Sequence, residues 1–305
     1  MLEITAVTED GHRFVRPAEA DIADLVGALG RPERRFLILQ RIPDLPNVFM
    51  QVWHDGADYT VEHRDGGADR HFQVFLEGPE QVVPVMAAWA RQADGWRYGL
   101  SWTPVDLGAP EPAPPLALDE DDRAKLDQRL REVIIGGYAT RAELAEIAAD
   151  YLVTGDHRPV TPGQARELAD RLWLDRVEEQ AAWKGETDPE RLTRAFTALA
   201  ATGITAKEHF TCCGSCGRSE IGEAGAPDAR GFVFFHRQCT DATAAGGQGL
   251  TLLYGGFDGS PATTAAIGRE VVAALDQAGL TAEWDGDPAQ AITVTPITWR
   301  KRLIG

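Results

Sequence analysis

All four cysteines of this 305-residue chain fall in one short stretch: Cys212, Cys213, Cys216 and Cys239. The spacing is Cys213-x2-Cys216 followed by His236-x2-Cys239. Two such pairs of soft or borderline donors are the minimum set for a tetrahedral zinc site. Cys212 and His209 stand beside the first pair as further candidate ligands, so spacing alone leaves the set open. Gly217, directly after Cys216, is expected to take a positive φ and turn backbone N–H groups toward the sulfurs. Two other readings compete with zinc. The thiols could be buried and inert, since cysteine is among the most buried residue types. Alternatively, a Cys-x-x-Cys pair at a helix N-terminus has an acidified thiol and exchanges disulfides. Exchange needs a strand ahead of the motif, in a βαβ unit. Here the preceding sequence reads as a helix ending at Gly203 and a short link through Phe210. If the cluster is catalytic, Cys213, Cys216 and His236 form its centre, with Glu220 as acid or base.

Other candidates are weaker. There is no Gly-x-Ser-x-Gly and no His-Glu-x-x-His. Gly255-Gly256-Phe257-Asp258-Gly259-Ser260 precedes a helix and raises the idea of a phosphate cradle. It matches neither a P-loop nor a dinucleotide fingerprint, which favours a tight turn. Trp53-His54-Asp55 and Glu62-His63-Arg64-Asp65 set histidines beside carboxylates, but neighbours on a strand point to opposite faces and do not form dyads. A sheet face bearing Gln51, Trp53, Tyr59, Val61, His63 and Phe72 is a candidate partner surface, since aromatic residues are enriched at interfaces.

The elements that would carry these residues indicate an α+β fold. Strands are expected over 2–7, 36–42, 48–53, 59–63 and 71–76, with helices through Ile22, Leu25, Val26 and Leu29 and through Val82, Met86 and Trp89. Consecutive strands with short turns favour an N-terminal antiparallel sheet packed on two helices, over residues 1–106. Four prolines between Ala109 and Leu116 mark a semi-rigid linker, taken as 107–118. Residues 119–203 read as a helical segment. Thr140 with Glu143 fits a capping box, Thr161-Pro162 opens a long helix, and Asp188-Pro189 opens another. Residues 204–305 form a cysteine-containing α+β domain, with strands at 231–236, 250–254, 281–284 and 292–297 and a helix through Ile267, Val271 and Leu275. Residues 119–305 are expected to behave as one unit.

Composition is that of a globular protein: 44% hydrophobic and 25% charged. The net charge is −17, distributed as −7 over 1–106, −7 over 107–203 and −3 over 204–305. No basic stripe stands out, which disfavours nucleic acid as a partner. An acidic surface can instead steer a basic protein partner. The first residues lack a basic segment followed by an apolar run, so no signal peptide is expected there. No stretch approaches the roughly 20 apolar residues of a membrane span. A cytoplasmic protein with reduced thiols is the expectation.

Several segments together resemble a bacterial domain family of unknown function, frequent in actinobacteria. They are Trp183 to Phe196, Gly203-Ile204, Phe210-Thr211-Cys212-Cys213-Gly214-Ser215-Cys216-Gly217, Glu220-Ile221 and Gly231 to Gln238. The resemblance covers about 120–305 and implies no established activity. In the family's pattern the position of Cys239 is usually Asp, which implies that Cys239 replaces a carboxylate if a metal site is general to the family. Residues 1–106 look like a domain of streptomycete hypothetical proteins and are loosely similar to immunity proteins of polymorphic toxin systems. The leading expectation is a non-enzymatic protein-binding, immunity-like protein with a cysteine-rich, zinc-binding site. The alternative is a metal- or thiol-dependent enzyme centred on Cys212, Cys213, Cys216 and His236.

Overall fold

A computed structural model describes every residue except Ala109, Pro110, Gln248 and Gly305. The first two belong to the expected proline-rich linker, and that part of the expectation lies outside the described residues. The chain divides into two compact units. The first comprises Met1–Leu126, Ala139–Glu178 and the segment from Leu303 onward; the second comprises Asp127–Tyr138 and Glu179–Arg302.

In the first unit the order is β1 (Ile4–Thr8), β2 (Arg13–Val15), α1 (Glu19–Gly27), β3 (Phe36–Arg41), β4 (Val48–Trp53), β5 (Tyr59–Asp65), β6 (His71–Leu76), α2 (Pro79–Ala90) and β7 (Thr103–Pro104). The strands form an antiparallel sheet in the order β2-β1-β3-β4-β5-β6-β7. Period-two alternation buries Ile4, Leu37, Leu39, Met50, Val52 and Val61 against Ile22 and Val26 of α1 and Val82, Met86 and Trp89 of α2. β2 and β7 escape sequence patterning. One has all three residues exposed, and the other is two residues long and contains Pro104.

The candidate partner face proves to be two faces. Register pairs Val52 with Val61 and Trp53 with Thr60, so Gln51 and Trp53 point away from the side that holds Tyr59, Val61 and His63. Those three are buried in the core, and Phe72 stands opposite His63 on the same side. The outward face instead aligns Phe36, Trp53, Thr60 and Phe75 in one cross-strand row. Trp53 is 40% and Phe75 60% exposed.

The helical stretch contains α3 (Glu120–Gly136), α4 (Arg141–Asp150), α5 (Pro162–Ala181) and α6 (Asp188–Ala201). Thr140 and Glu143 form the expected capping box, the Thr140 hydroxyl accepting from the Glu143 N–H at 3.0 Å. Thr161 and Gln164 cap α5 in the same reciprocal way. Gln164 also donates to the carbonyls of Pro114 and Pro115, tying part of the proline-rich stretch to α5.

The second unit continues with β8 (Ile204–Lys207), α7 (Gly214–Glu220), β9 (Gly231–Phe234), α8 (Arg237–Ala244), β10 (Leu250–Gly256), α9 (Pro261–Gln277), β11 (Ala282–Glu283) and β12 (Ile292–Val294). Its sheet order is β11-β12-β10-β9-β8. Every neighbouring pair is antiparallel except β8 and β9, which are parallel. Val233, Phe235, Leu252 and Ile292 meet Leu192, Phe196 and Leu199 of α6 and Ile267, Val271 and Leu275 of α9 in one core. β8 is an edge strand. The loop after α7 lies against it so closely that a Cβ at Gly225 would collide with the Thr205 side chain. Among the described residues no helix is long and apolar enough to cross a membrane. The α+β class expected from the sequence describes both units.

His63 is 1% exposed in an aromatic box: Phe72 stacks on it at 5.2 Å, and Trp96 and Trp102 meet it edge-on at 4.8 Å. Neither ring nitrogen has a hydrogen-bond partner among the described residues. Burial, aided by the Arg97 charge, pushes its pKa down to about 4. The neutral ring is therefore favoured by folding. The unfolded chain binds the extra proton between pH ~6.5 and ~4, and stability falls as pH drops through that window. The loss should reach about 3 kcal/mol below pH ~4. Denaturant melts followed by tryptophan emission should show it, and His63→Phe should flatten this part of the pH profile. An unchanged profile in that variant would refute the assignment.

Candidate functional site

Cys212, Cys213 and Cys216 lie on the crossover between the parallel strands β8 and β9, and Cys239 lies beyond it on α8. β8 ends at Lys207, and the chain then takes left-handed backbone at His209 (φ 49°) and Thr211 (φ 57°). Such conformations are costly for a residue with a Cβ, most of all a β-branched one, and persist only when the surroundings impose them. Here Phe210 N–H donates to the Phe235 carbonyl at 2.8 Å, and Arg237 N–H donates to the Thr211 carbonyl at 3.1 Å. The Thr211 hydroxyl donates to the Cys213 carbonyl at 3.1 Å. These bonds deliver Cys213 as the N-cap residue of α7.

Gly217 is not where the sequence reasoning placed it. It sits inside α7, is buried, and is not among the glycines with positive φ. Its role is close approach, because a Cβ there would collide with the Phe234 ring of β9. Gly214 is similarly crowded, its Cβ position 3.1 Å from Leu253 Cδ1 and 3.5 Å from His236 Nε2. Two glycines thus let α7 settle onto the sheet and fix the direction of its first turn.

The sulfurs of Cys212, Cys213 and Cys216 lie within 4.8 Å of one another, and the Cys212 thiol donates to Cys216 Sγ at 3.5 Å. The three thiols are free and exposed to half-buried. The Cys216 N–H holds the Cys213 thiol below the ordinary value, with help from the Cys216 and Cys212 thiols and the Ser215 N–H. Backbone N–H groups thus do support the sulfur, as expected from Gly217, but from the helix N-terminus and without a positive φ at that glycine. Cys216 is pushed up to about 11 by its contacts with Cys212 and Cys213.

His236 and Cys239 form a separate contact. His236 is the N-cap residue of α8, and its Nε2 lies 3.3 Å from Cys239 Sγ. Burial lowers the His236 pKa and raises that of Cys239. His236 Nδ1 is buried with no partner among the described residues. Neither residue joins the group whose donor atoms are mutually within 4.8 Å. His209 is engaged elsewhere: its ring stacks on Tyr138 at 4.5 Å, and its Nδ1 lies 2.9 Å from the Thr240 hydroxyl. Glu220 is the exposed last residue of α7.

Just ahead of the cluster, Glu208 belongs to a partly buried polar group that no motif announced. Tyr138 donates to Glu208 at 2.6 Å, and Lys301 donates to the same carboxylate at 3.1 Å while lying 4.5 Å over the Tyr138 ring. Burial and the Glu208 charge raise the Tyr138 pKa well above its ordinary value. Pairs separated by 70 and 93 positions leave no local signature. The glycine-rich loop before α9 is closed to phosphate. Asp258 accepts from Ser260 N–H and the Thr263 hydroxyl, setting a carboxylate where the anion would sit.

The objection to disulfide exchange is also overturned in part. A strand, β8, precedes the motif, and with α7 and β9 it makes a βαβ unit. The strand was hidden because Ile-Thr-Ala-Lys is only four residues long and half polar.

The second unit thus defines an α+β protein with a three-thiol cluster on a parallel crossover, a donor set that could hold a metal ion. A family model described as Domain of unknown function (DUF6891) matches residues 119–303, and the chain belongs to that family. No curated protein matches the chain, and no solved structure does.

Alkylation with a limiting reagent at neutral pH, read by peptide mass mapping, should modify Cys213 first. Cys216 should react appreciably only as pH approaches about 11. Equal rates at Cys213 and Cys216 across neutral pH would contradict this order.

Proposed function

We propose that this is a metal-binding protein, with zinc held by Cys212, Cys213 and Cys216 and one coordination position left for a further donor. The observation that carries the reading is the mutual approach of three sulfurs within 4.8 Å. A tetrahedral zinc with bonds of about 2.3 Å separates its sulfurs by about 3.8 Å, so small movements suffice. His236, whose ring lies beside Gly214 and is backed by Cys239, is the candidate for the fourth position; this keeps Cys213, Cys216 and His236 of the set suggested by spacing and puts Cys212 in place of Cys239. A reducing cytoplasmic setting belongs to this proposal, since thiols persist there. The family match over 119–303 supports treating 119–305 as the module that carries the function.

Elemental analysis of protein purified without chelator should give about one zinc per chain, lost in Cys212→Ser, Cys213→Ser and Cys216→Ser. Retention in His236→Ala and Cys239→Ala would leave the fourth position to water or another molecule. Substoichiometric metal with all four thiols freely titratable would remove zinc. Thiol exchange, supported by the βαβ placement, would then be the better account.

A second reading, a protein-binding and immunity-like module, is supported by the outward row of Phe36, Trp53 and Phe75 together with the net charge of −17. The charge favours a basic protein partner. Retention on immobilised polylysine, measured at low and high salt, provides a defined probe. The Trp53→Ser/Phe75→Ser variant should bind about tenfold more weakly, since buried aromatics dominate interface energies. Equal binding by that variant would reduce the interaction to diffuse charge and remove this reading.

A further inference from the structure

The first unit carries an open cavity of about 720 Å³, a size typical of small-molecule sites. All of its lining residues belong to this unit. Its apolar surface comes from Val7 of β1, Ala142, Ala145 and Ala149 of α4, and Pro162 of α5. Four arginines also line it, and they fall into two classes. Arg141 is spent on Asp44 and Asp170, at 2.7 and 2.6 Å, and Arg158 on Asp150 at 2.9 Å. Arg13 and Arg166 line the same cavity and have no ion-pair partner among the described residues. The chain has 47 acidic and 30 basic side chains, so carboxylates are in ample supply. Glu146 also lines the cavity, so two unpaired guanidinium groups stand against one further carboxylate, and the positive balance on a partly apolar lining suits an anion.

We propose that this cavity binds a small organic anion, a carboxylate or phosphate carried on an apolar body. Arg13 and Arg166 receive the anionic group, for which the planar guanidinium fork is suited. The alanine face of α4, with Val7 and Pro162, receives the body. Alanine at positions 142, 145 and 149 leaves room that larger side chains would fill. The Asp44–Arg141–Asp170 triad fixes the cavity wall: the Trp173 indole N–H donates to the Asp44 carbonyl at 2.7 Å, and Asp44 is 4% exposed. The site is independent of the cysteine cluster, and removal of the thiols should leave it intact.

Isothermal titration of the full chain with benzoate and with phenyl phosphate tests the proposal and separates the two anion types. Inorganic phosphate is the control that lacks the apolar body. One of the two aromatic anions should bind saturably, with one site per chain, and more tightly than inorganic phosphate. Arg13→Gln/Arg166→Gln should weaken it by at least about tenfold, the usual scale for losing charge-assisted hydrogen bonds. Both arginines are exposed and unpaired, so this variant should melt with the parent. Ala145→Trp, which fills the cavity and keeps both arginines, should weaken binding similarly. No saturable binding of either aromatic anion, or undiminished binding in the arginine variant, would overturn the proposal. Undiminished binding in Ala145→Trp would move the anion outside the cavity and overturn it equally. Inorganic phosphate binding as tightly as phenyl phosphate would remove the apolar body from the claim.

Discussion

The cysteine site depends on the parallel pairing of β8 with β9. Antiparallel neighbours can be joined by a tight turn, but parallel ones require a connection that leaves the sheet and returns. Here that connection runs from Glu208 to Arg230, and three of the four cysteines occupy its first half. The chain must leave β8 steeply, which it does through left-handed residues at 209 and 211, each costing on the order of 1–2 kcal/mol. Bonds to the Phe235 carbonyl and the Arg237 N–H offset that cost and hold the segment. The thiols therefore meet because of a strand pairing, and a short helix lacking either the strand or the left-handed residues would not assemble them.

The contacts among the three thiols set the acidities of Cys213 and Cys216 apart. Cys213 is acidified by N–H groups of α7, whereas Cys216 is held near 11 by the same neighbours that crowd it. At neutral pH the group does not carry three negative charges by itself. A metal cation entering it would have to displace protons, so any such binding would strengthen with pH until the thiols are fully ionised. Glu208, held by Tyr138 and the buried Lys301, stands immediately before the left-handed turn in sequence. These contacts keep one carboxylate paired with an ammonium and a phenol, an arrangement that holds Glu208 in place while the next residues turn.

Long periodic elements were legible in the chain. The alternation of β3 to β6 and the capping signals of α4 and α5 each place a helix or strand within a few residues. What escaped reading has specific causes. β8 is short and half polar, and α7 carries glycines at two of its seven positions, a composition with poor helix propensity. Its helicity comes from packing on Phe234, which only the tertiary structure reveals. A glycine directly after a Cys-x-x-Cys pair suggests a positive-φ turn, yet the function of Gly217 is to admit the Phe234 ring. The partner face was misjudged because the register between β4 and β5, not the residue types, decides which side chains share a surface. The cluster was found by spacing, but the choice of Cys212 rather than His236 and Cys239 as third donor depends on the path between strands.

β8 is also the outermost strand of its sheet, and the loop following α7 lies against it at Gly225 and Thr205. An uncovered edge is a template for pairing with another molecule, and natural sheets commonly shield such edges with loops. The connection that gathers the thiols thus doubles as a guard against strand-by-strand self-association. A chain in which this loop came away would bare reactive sulfur and a pairing edge at once, so oxidation and aggregation of this protein should be linked failures with a common origin.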